Sequence, residues 1–213
     1  MLRYAIYCVP DGDLGDLGAV WLGWDVRAGR TVRSAAPEAW VATPRRYGFH
    51  ATLKPPMRLV EGATVDDLAE GTAALAARIA PARAERLEVA ALDGFVALRP
   101  VGEHDLGRVA AACVEGLDGF RAPAPPEEVA RRRAAGLTDA QEALLTRWGY
   151  PYVKGEFRFH VTLSGRVPDP APVARAARAH FGTLPAPFVL DALALCEETP
   201  EGFRQIHRYP LTG

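Results

Sequence analysis

Two stretches of this chain share an unusual set of residues. Gly48-Phe49-His50-Ala51-Thr52-Leu53-Lys54 and Arg158-Phe159-His160-Val161-Thr162-Leu163-Ser164 both read Phe-His-apolar-Thr-Leu. Paired histidines suit proton transfer. An unperturbed imidazole titrates near about 6.5, so one of a pair can be neutral and accept a proton while the other is charged and gives one. A positioned acid or base typically contributes about 10²–10⁴-fold to a rate. Threonine hydroxyls can donate hydrogen bonds to the non-bridging oxygens of a phosphate, where charge is held during displacement. Two such stations on opposite sides of phosphorus would serve an in-line displacement, one activating the nucleophile and the other protonating the leaving oxygen. That is the chemistry of a metal-free phosphodiesterase. The two motifs are near-equivalent, so they do not say which histidine is the base.

These residues need strands to hold them. Side chains alternate across a strand with period two, and both runs mix β-branched and aromatic residues with polar ones. His50, Thr52 and Lys54 should then share one face, with Phe49, Ala51 and Leu53 opposite. Arg158, His160, Thr162 and Ser164 should do the same against Phe159, Val161 and Leu163. On this phasing Lys54 and Arg158 are candidate substrate-binding cations, and the nearby Tyr47, Tyr150 and Tyr152 are candidates for stacking on a base or sugar. Plainer readings stand beside each: core histidines, threonines chosen for β propensity, surface cations and core aromatics. One His-x-Thr would carry little weight alone. The repeat of Phe before it and Leu after it gives the pair its weight, and His104, His180 and His207 lack Ser or Thr two positions on.

Composition narrows the function classes. The chain has 213 residues, 49% hydrophobic and 24% charged, with a net charge of −1. That length fits one large domain or two small lobes with a real core. A near-neutral balance argues against a protein that coats long nucleic acid, while leaving room for a small phosphorylated ligand in a local cationic pocket. Cys8, Cys113 and Cys196 are widely spaced without a CxxC, and read as buried free thiols of a reduced compartment. No run approaches the ~20 apolar residues that span a bilayer, and the N-terminus lacks signal-peptide character. The expected location is the cytoplasm.

The remaining pattern predicts a mixed chain. Strands are expected over residues 3–9, 86–92, 95–100, 188–197 and 203–211, with a tight Asp93-Gly94 turn joining the second and third. Helices are expected over 14–24, 64–79, 105–117, 127–135, 138–148 and 170–181, and a helical turn near 37–41. Residues 25–36 read as loop, and Pro55-Pro56 should stop the first motif strand. Arg131-Arg132-Arg133 reads as a solvated helix face beside Glu127 and Glu128, or as a contact for a phosphate tail. After each motif come a helix, a strand and a Gly-Phe that opens another strand (Gly94-Phe95, Gly202-Phe203), which points to an internal duplication.

Paired His-x-Thr motifs in a duplicated α+β chain resemble the 2H (two-histidine) phosphoesterase superfamily. Arg46 to Pro56, with Trp148-Gly149-Tyr150-Pro151-Tyr152 ahead of the second motif, is more similar to the branch associated with bacterial phosphonate-utilisation operons. The resemblance implies an α+β fold of two lobes in one domain, residues 1–213, with antiparallel sheets flanking a central cleft and helices outside. Lobe one would carry the strand at about 49–54 and lobe two that at about 158–164. Residues 121–152 would form an insertion or lid. It implies His50 and His160 as catalytic residues, Thr52 and Thr162 as phosphate binders, no metal and no cofactor. The substrate would be a cyclic or 2′-linked phosphodiester of a nucleotide or ribose phosphate, with a short RNA end as a further candidate. Two other classes compete. A zinc hydrolase would need a third ligand, and no HExxH or CxxC supplies one. A non-catalytic nucleotide or phosphate-ester binding protein would hold the same ligand intact. Glycine-rich phosphate loops and dinucleotide fingerprints are missing from the sequence.

Overall fold

The computed structural model describes residues 2–92 and 94–213. In chain order the elements are β1 (Tyr4–Cys8), α1 (Gly12–Leu22), β2 (Trp24–Asp25), β3 (Arg30–Thr31), α2 (Glu38–Arg45), β4 (Ala51–Met57), α3 (Val65–Ala76), β5 (Ala82–Leu92) and β6 (Phe95–His104). They continue with α4 (Leu106–Gly116), α5 (Pro126–Arg133), α6 (Asp139–Trp148), β7 (Val161–Thr162), α7 (Ala171–Phe181), β8 (Phe188–Leu190), β9 (Ala192–Glu198) and β10 (Phe203–Pro210). This is a mixed α+β chain with antiparallel sheets. Asp93, in the predicted hairpin turn, lies outside the described residues.

Local sequence explains the helix starts. Thr64 and Asp67 form a capping box ahead of α3, as Thr138 and Gln141 do ahead of α6. In each, two otherwise orphaned N–H groups gain partners. Asp11 accepts from the Gly12 N–H at the start of α1.

Two four-stranded sheets carry the molecule, in the orders β10-β9-β1-β4 and β7-β6-β5-β8. The two motif strands, β4 and β7, are edge strands of different sheets and lie against each other. Each pairs antiparallel with an earlier strand: β4 with β1, after α1, the β2–β3 ladder and α2, and β7 with β6, after α4, α5 and α6. Successive halves of the chain do not build separate sheets, however. The first sheet takes β1 and β4 from early in the chain and β9 and β10 from its end. A continuous apolar core joins Ile6, Leu53 and Leu195 of the first sheet to Leu87, Leu98 and Val161 of the second.

Several boundaries differ from expectation for identifiable reasons. The strand predicted over 188–197 is two strands split at Asp191, because the chain crosses there from β8 in one sheet to β9 in the other. β4 runs through Pro55 and Pro56 rather than stopping. It is an edge strand bonded only to β1, and edges tolerate prolines. The predicted loop after Trp24 holds the short β2–β3 ladder. The regular part of the second motif strand is only Val161–Thr162. The three cysteines are free and buried. Among the described residues no helix is long and apolar enough to cross a membrane.

One glycine locks the first motif into the core. Gly18 on α1 faces the ring of buried Phe49, and a Cβ there would lie 2.0 Å from Phe49 Cγ. That ring is stacked on Phe181 at 5.6 Å and has little room to retreat. Alanine would gain about 1 kcal/mol of helix propensity, yet overpacking typically costs about 1–3 kcal/mol, and this overlap is severe. Gly18→Ala is therefore expected to lower Tm by several degrees in a thermal melt, at about 2–4 °C per kcal/mol for a chain of this size.

Candidate active site

Each histidine stands just before a motif strand, behind a buried phenylalanine. Phe49 packs on Phe181, and Phe159 packs on Phe188 at 5.6 Å. Leu53 and Leu163 are buried on the same side, and the Leu163 carbonyl accepts the Trp21 indole N–H at 2.8 Å. The apolar members of both motifs thus face the core, which turns the imidazoles the other way.

Both imidazoles are held by the same device. His50 Nδ1 lies 2.9 Å from the Gly48 carbonyl oxygen, and His160 Nδ1 lies 2.8 Å from the Arg158 carbonyl oxygen. A carbonyl only accepts, so each Nδ1 carries the proton and donates. A ring so held presents Nε2 as an acceptor when neutral and as a donor when charged. His50 Nε2 is 3.1 Å from Thr52 Oγ1, so the hydroxyl donates to it. Thr162 sits opposite Ala97 of β6.

An aromatic residue on the neighbouring strand backs each ring. Tyr7 of β1 stacks on His50 with centroids 3.7 Å apart, and Phe95 of β6 lies 5.8 Å from His160. Sequence offers Tyr7 only as a weaker stacking candidate and gives no sign of Phe95, since the pairing of Tyr7 with Thr52 follows only from strand register. Burial pushes the His50 pKa down to about 4; the Gly48 carbonyl opposes the shift and His160 reinforces it. His50 is therefore neutral at pH 7.

The structure places Lys54 on the opposite face of β4 from Thr52. Opposed residues in an antiparallel pair point to the same face. Thr52 pairs with Tyr7, but Lys54 pairs with Ile6, with a register shift between them. The extra residue is a bulge that resets the alternation. Lys54 consequently shares the face of core residue Ile6. It is 2% exposed, donates to the Val114 carbonyl at 3.0 Å and lies 3.5 Å from Asp118. Burial lowers its pKa to about 8 against the pull of Asp118. The second motif shows the same departure: the N–H groups of Leu163 and Ser164 both donate to the Val96 carbonyl, and Ser164 is buried. Lys54→Met is expected to leave kcat/KM essentially unchanged. A loss of about 10–150-fold, the worth of a charge-assisted hydrogen bond at ~1.5–3 kcal/mol, would return Lys54 to the substrate.

The other predicted binding residues are scattered differently. Tyr47 lies 6.3 Å from His50 and stacks on Phe203 at 5.5 Å. Arg158 is exposed. Tyr152 is 44% exposed and meets Tyr150 edge-on at 5.7 Å. The 121–152 segment is the α5–α6 pair. Its Arg133 pairs with Glu142, whereas Arg132 turns inward with its guanidinium 4.5 Å over the Tyr150 ring. Beside Tyr47, Arg3 makes a two-pronged ion pair with Glu198 at 2.7 Å, which Arg46 extends. Among the described residues no group of three or more His, Cys, Asp or Glu side chains is gathered so as to hold a metal ion.

Comparisons with known proteins place the chain in a family. A family model described as "Protein of unknown function (DUF1045)" matches residues 52–204. A protein of Janthinobacterium sp. (strain Marseille) named ribose 1,5-bisphosphate phosphokinase PhnN is 36% identical over 233 residues, covering 100% of this chain and 51% of the relative. A protein of the same name from Laribacter hongkongensis (strain HLHK9) is 39% identical over 222 residues, covering 94% of this chain and 49% of the relative. The chain thus spans about half the length of the curated relatives it matches.

Proposed function

The chain belongs to the family described as protein of unknown function DUF1045, and from the geometry of its two motifs we propose that it is a metal-independent phosphodiesterase. In this reading it opens a cyclic or 2′-linked phosphodiester on a ribose phosphate or nucleotide by two-histidine acid–base catalysis. One observation carries the reading. Both imidazoles are fixed through Nδ1 to the carbonyl two residues earlier, which leaves Nε2 of His160 for substrate, and Nε2 of His50 once the Thr52 hydroxyl turns away. A pair of core histidines has no reason to repeat that arrangement on facing edge strands. The antiparallel pairing of each motif strand with an earlier strand, β4 with β1 and β7 with β6, supports a duplicated origin of the 2H kind.

The roles follow from the surroundings. His50 is the more shielded ring, under Tyr7, and is neutral at pH 7, so it is the base. It takes a proton from the attacking water as oxygen bonds to phosphorus. His160, protonated, gives its Nε2 proton to the ester oxygen as the P–O bond on the far side breaks. Thr52 turns its hydroxyl from His50 to a non-bridging oxygen, and Thr162 supplies a matching donor. A bound phosphate anion raises the pKa of His50 by favouring its charged form, which makes it a stronger base when the substrate is present.

The relatives are named for a phosphokinase. A kinase must cradle a nucleoside triphosphate, and this chain has no G-x-x-x-x-G-K-[ST] loop. We assign the kinase activity of those relatives to the half that this chain does not match. Joining the two halves in one polypeptide would then couple steps on phosphorylated ribose, consistent with a place in phosphonate metabolism. The test is turnover of a panel in excess EDTA: nucleoside 2′,3′-cyclic phosphates and ribose 1,2-cyclic phosphate, with the His50→Ala/His160→Ala variant as control. Hydrolysis by the wild type alone is expected, and the preferred ring separates RNA ends from ribose phosphates. Tight binding with the ligand recovered intact would favour a binding protein instead.

A further inference from the structure

We propose that Arg132, on the α5 insertion helix, belongs to a subsite for a second, terminal phosphate on the substrate. The inference rests on the phosphodiesterase reading for the identity of the reacting group, and on a separate set of observations for the subsite. The three consecutive arginines of α5 have different fates. Arg131 is exposed and Arg133 is tied to Glu142. Arg132 alone turns inward, stacked over Tyr150.

Its hydrogen bonding is incomplete. The Nη2 group donates to Glu128 Oε1 at 2.6 Å, while Nε is buried and, among the described residues, has no partner. Nε and Nη2 form the edge of a guanidinium that takes a carboxylate or phosphate with two parallel bonds. Arg3 shows that geometry filled, with Nε and Nη2 both on Glu198. On Arg132 the same edge is half used. A buried donor without a partner costs roughly 1–3 kcal/mol, so a half-filled fork is a place where an anion with more oxygens gains. Glu128 has somewhere else to go, since its other oxygen lies 3.7 Å from Arg58. It reads as an internal carboxylate standing where a phosphate oxygen would sit.

The subsite adjoins the candidate active site. Arg132 and Tyr150 line one small cavity with Pro55, Pro56 and Met57 of β4, the strand that follows His50. The strand β4 thus runs from the first motif to the Arg132 cavity. A substrate with its diester between the histidines and a phosphomonoester at the other end of one sugar would run along β4 to the Arg132 fork. An RNA end, whose next group is a diester within a longer chain, would not fill the fork with a dianion.

The experiment compares kcat/KM for nucleoside 2′,3′-cyclic phosphates with and without a 5′-phosphate, in the wild type and in Arg132→Gln, Arg132→Lys and Glu128→Gln. The 5′-phosphate should raise wild-type kcat/KM by about 10–150-fold, mainly through KM, the range of a charge-assisted bond. That ratio should fall toward one in Arg132→Gln, take an intermediate value in Arg132→Lys, which keeps the charge but loses the fork, and rise in Glu128→Gln. An equal ratio in wild type and Arg132→Gln would overturn the subsite. Binding of ribose 5-phosphate, followed by calorimetry, separates the two readings. If no cyclic ester is turned over yet ribose 5-phosphate binds in an Arg132-dependent way, the subsite stands and the hydrolase reading fails. Binding that is indifferent to Arg132 removes the subsite whatever the chemistry.

Discussion

Converting His160 to alanine is expected to lower kcat/KM on a cyclic diester by about 10²–10⁴-fold while leaving the fold intact. The ring is only partly buried, and its neighbours Phe159 and Val161 keep their core contacts, so the far-UV CD spectrum should not change. His50→Ala should cost a similar factor in rate. It also removes the partner stacked on Tyr7, so its melting temperature should drop where that of His160→Ala does not. The two histidines serve one displacement, and residues that act as a unit are strongly non-additive. The double variant should therefore be little slower than the worse single variant. Losses that multiply would mean that the rings act in separate steps, and equal activity in His160→Ala would end the paired mechanism.

Gly48→Ala should damage both stability and rate. Gly48 has φ +73°, a left-handed conformation that costs an L-residue about 1–2 kcal/mol. An added Cβ would lie 2.6 Å from Val26 Cβ, in a wall of the second apolar cluster. Overpacking there adds about 1–3 kcal/mol. The total, roughly 2–5 kcal/mol, should appear as a drop in Tm of about 5–20 °C at this chain length. Gly48 also supplies the carbonyl that fixes His50 Nδ1. A shift there frees the ring to rotate, so the folded fraction should show kcat reduced by tenfold or more, since small misplacements of a catalytic group are costly. A variant that melts early but keeps full kcat at low temperature would show that this carbonyl does not orient the base.

How much of this was legible in the sequence depends on how far each residue's placement is local. Phe49, His50, Thr52 and Leu53 sort onto two faces as period-two alternation requires, and the same holds from Phe159 to Leu163. Beyond the threonines alternation fails, because a bulge resets its phase and sends Lys54 to the core beside Ile6. Nothing in Thr-Leu-Lys announces that bulge. The capping boxes at Thr64 and Thr138 are local too, and the helices after them were readable. The split at Asp191 was not, since it arises where the chain passes between sheets. Tyr7 comes to His50 through strand register, which one sequence does not specify. Arg132 differs from Arg131 and Arg133 only by its turn around a helix that packs on one side.

The most direct test of the central claim is kcat/KM for the preferred cyclic diester as a function of pH in excess EDTA. We expect turnover to persist in the chelator. It should fall as pH drops through about 4, where His50 becomes protonated and can no longer act as base. It should fall again on the alkaline side, where a general acid loses the proton it must donate. Activity that vanishes in EDTA and returns with a divalent metal, or a rate indifferent to pH, would contradict two-histidine catalysis.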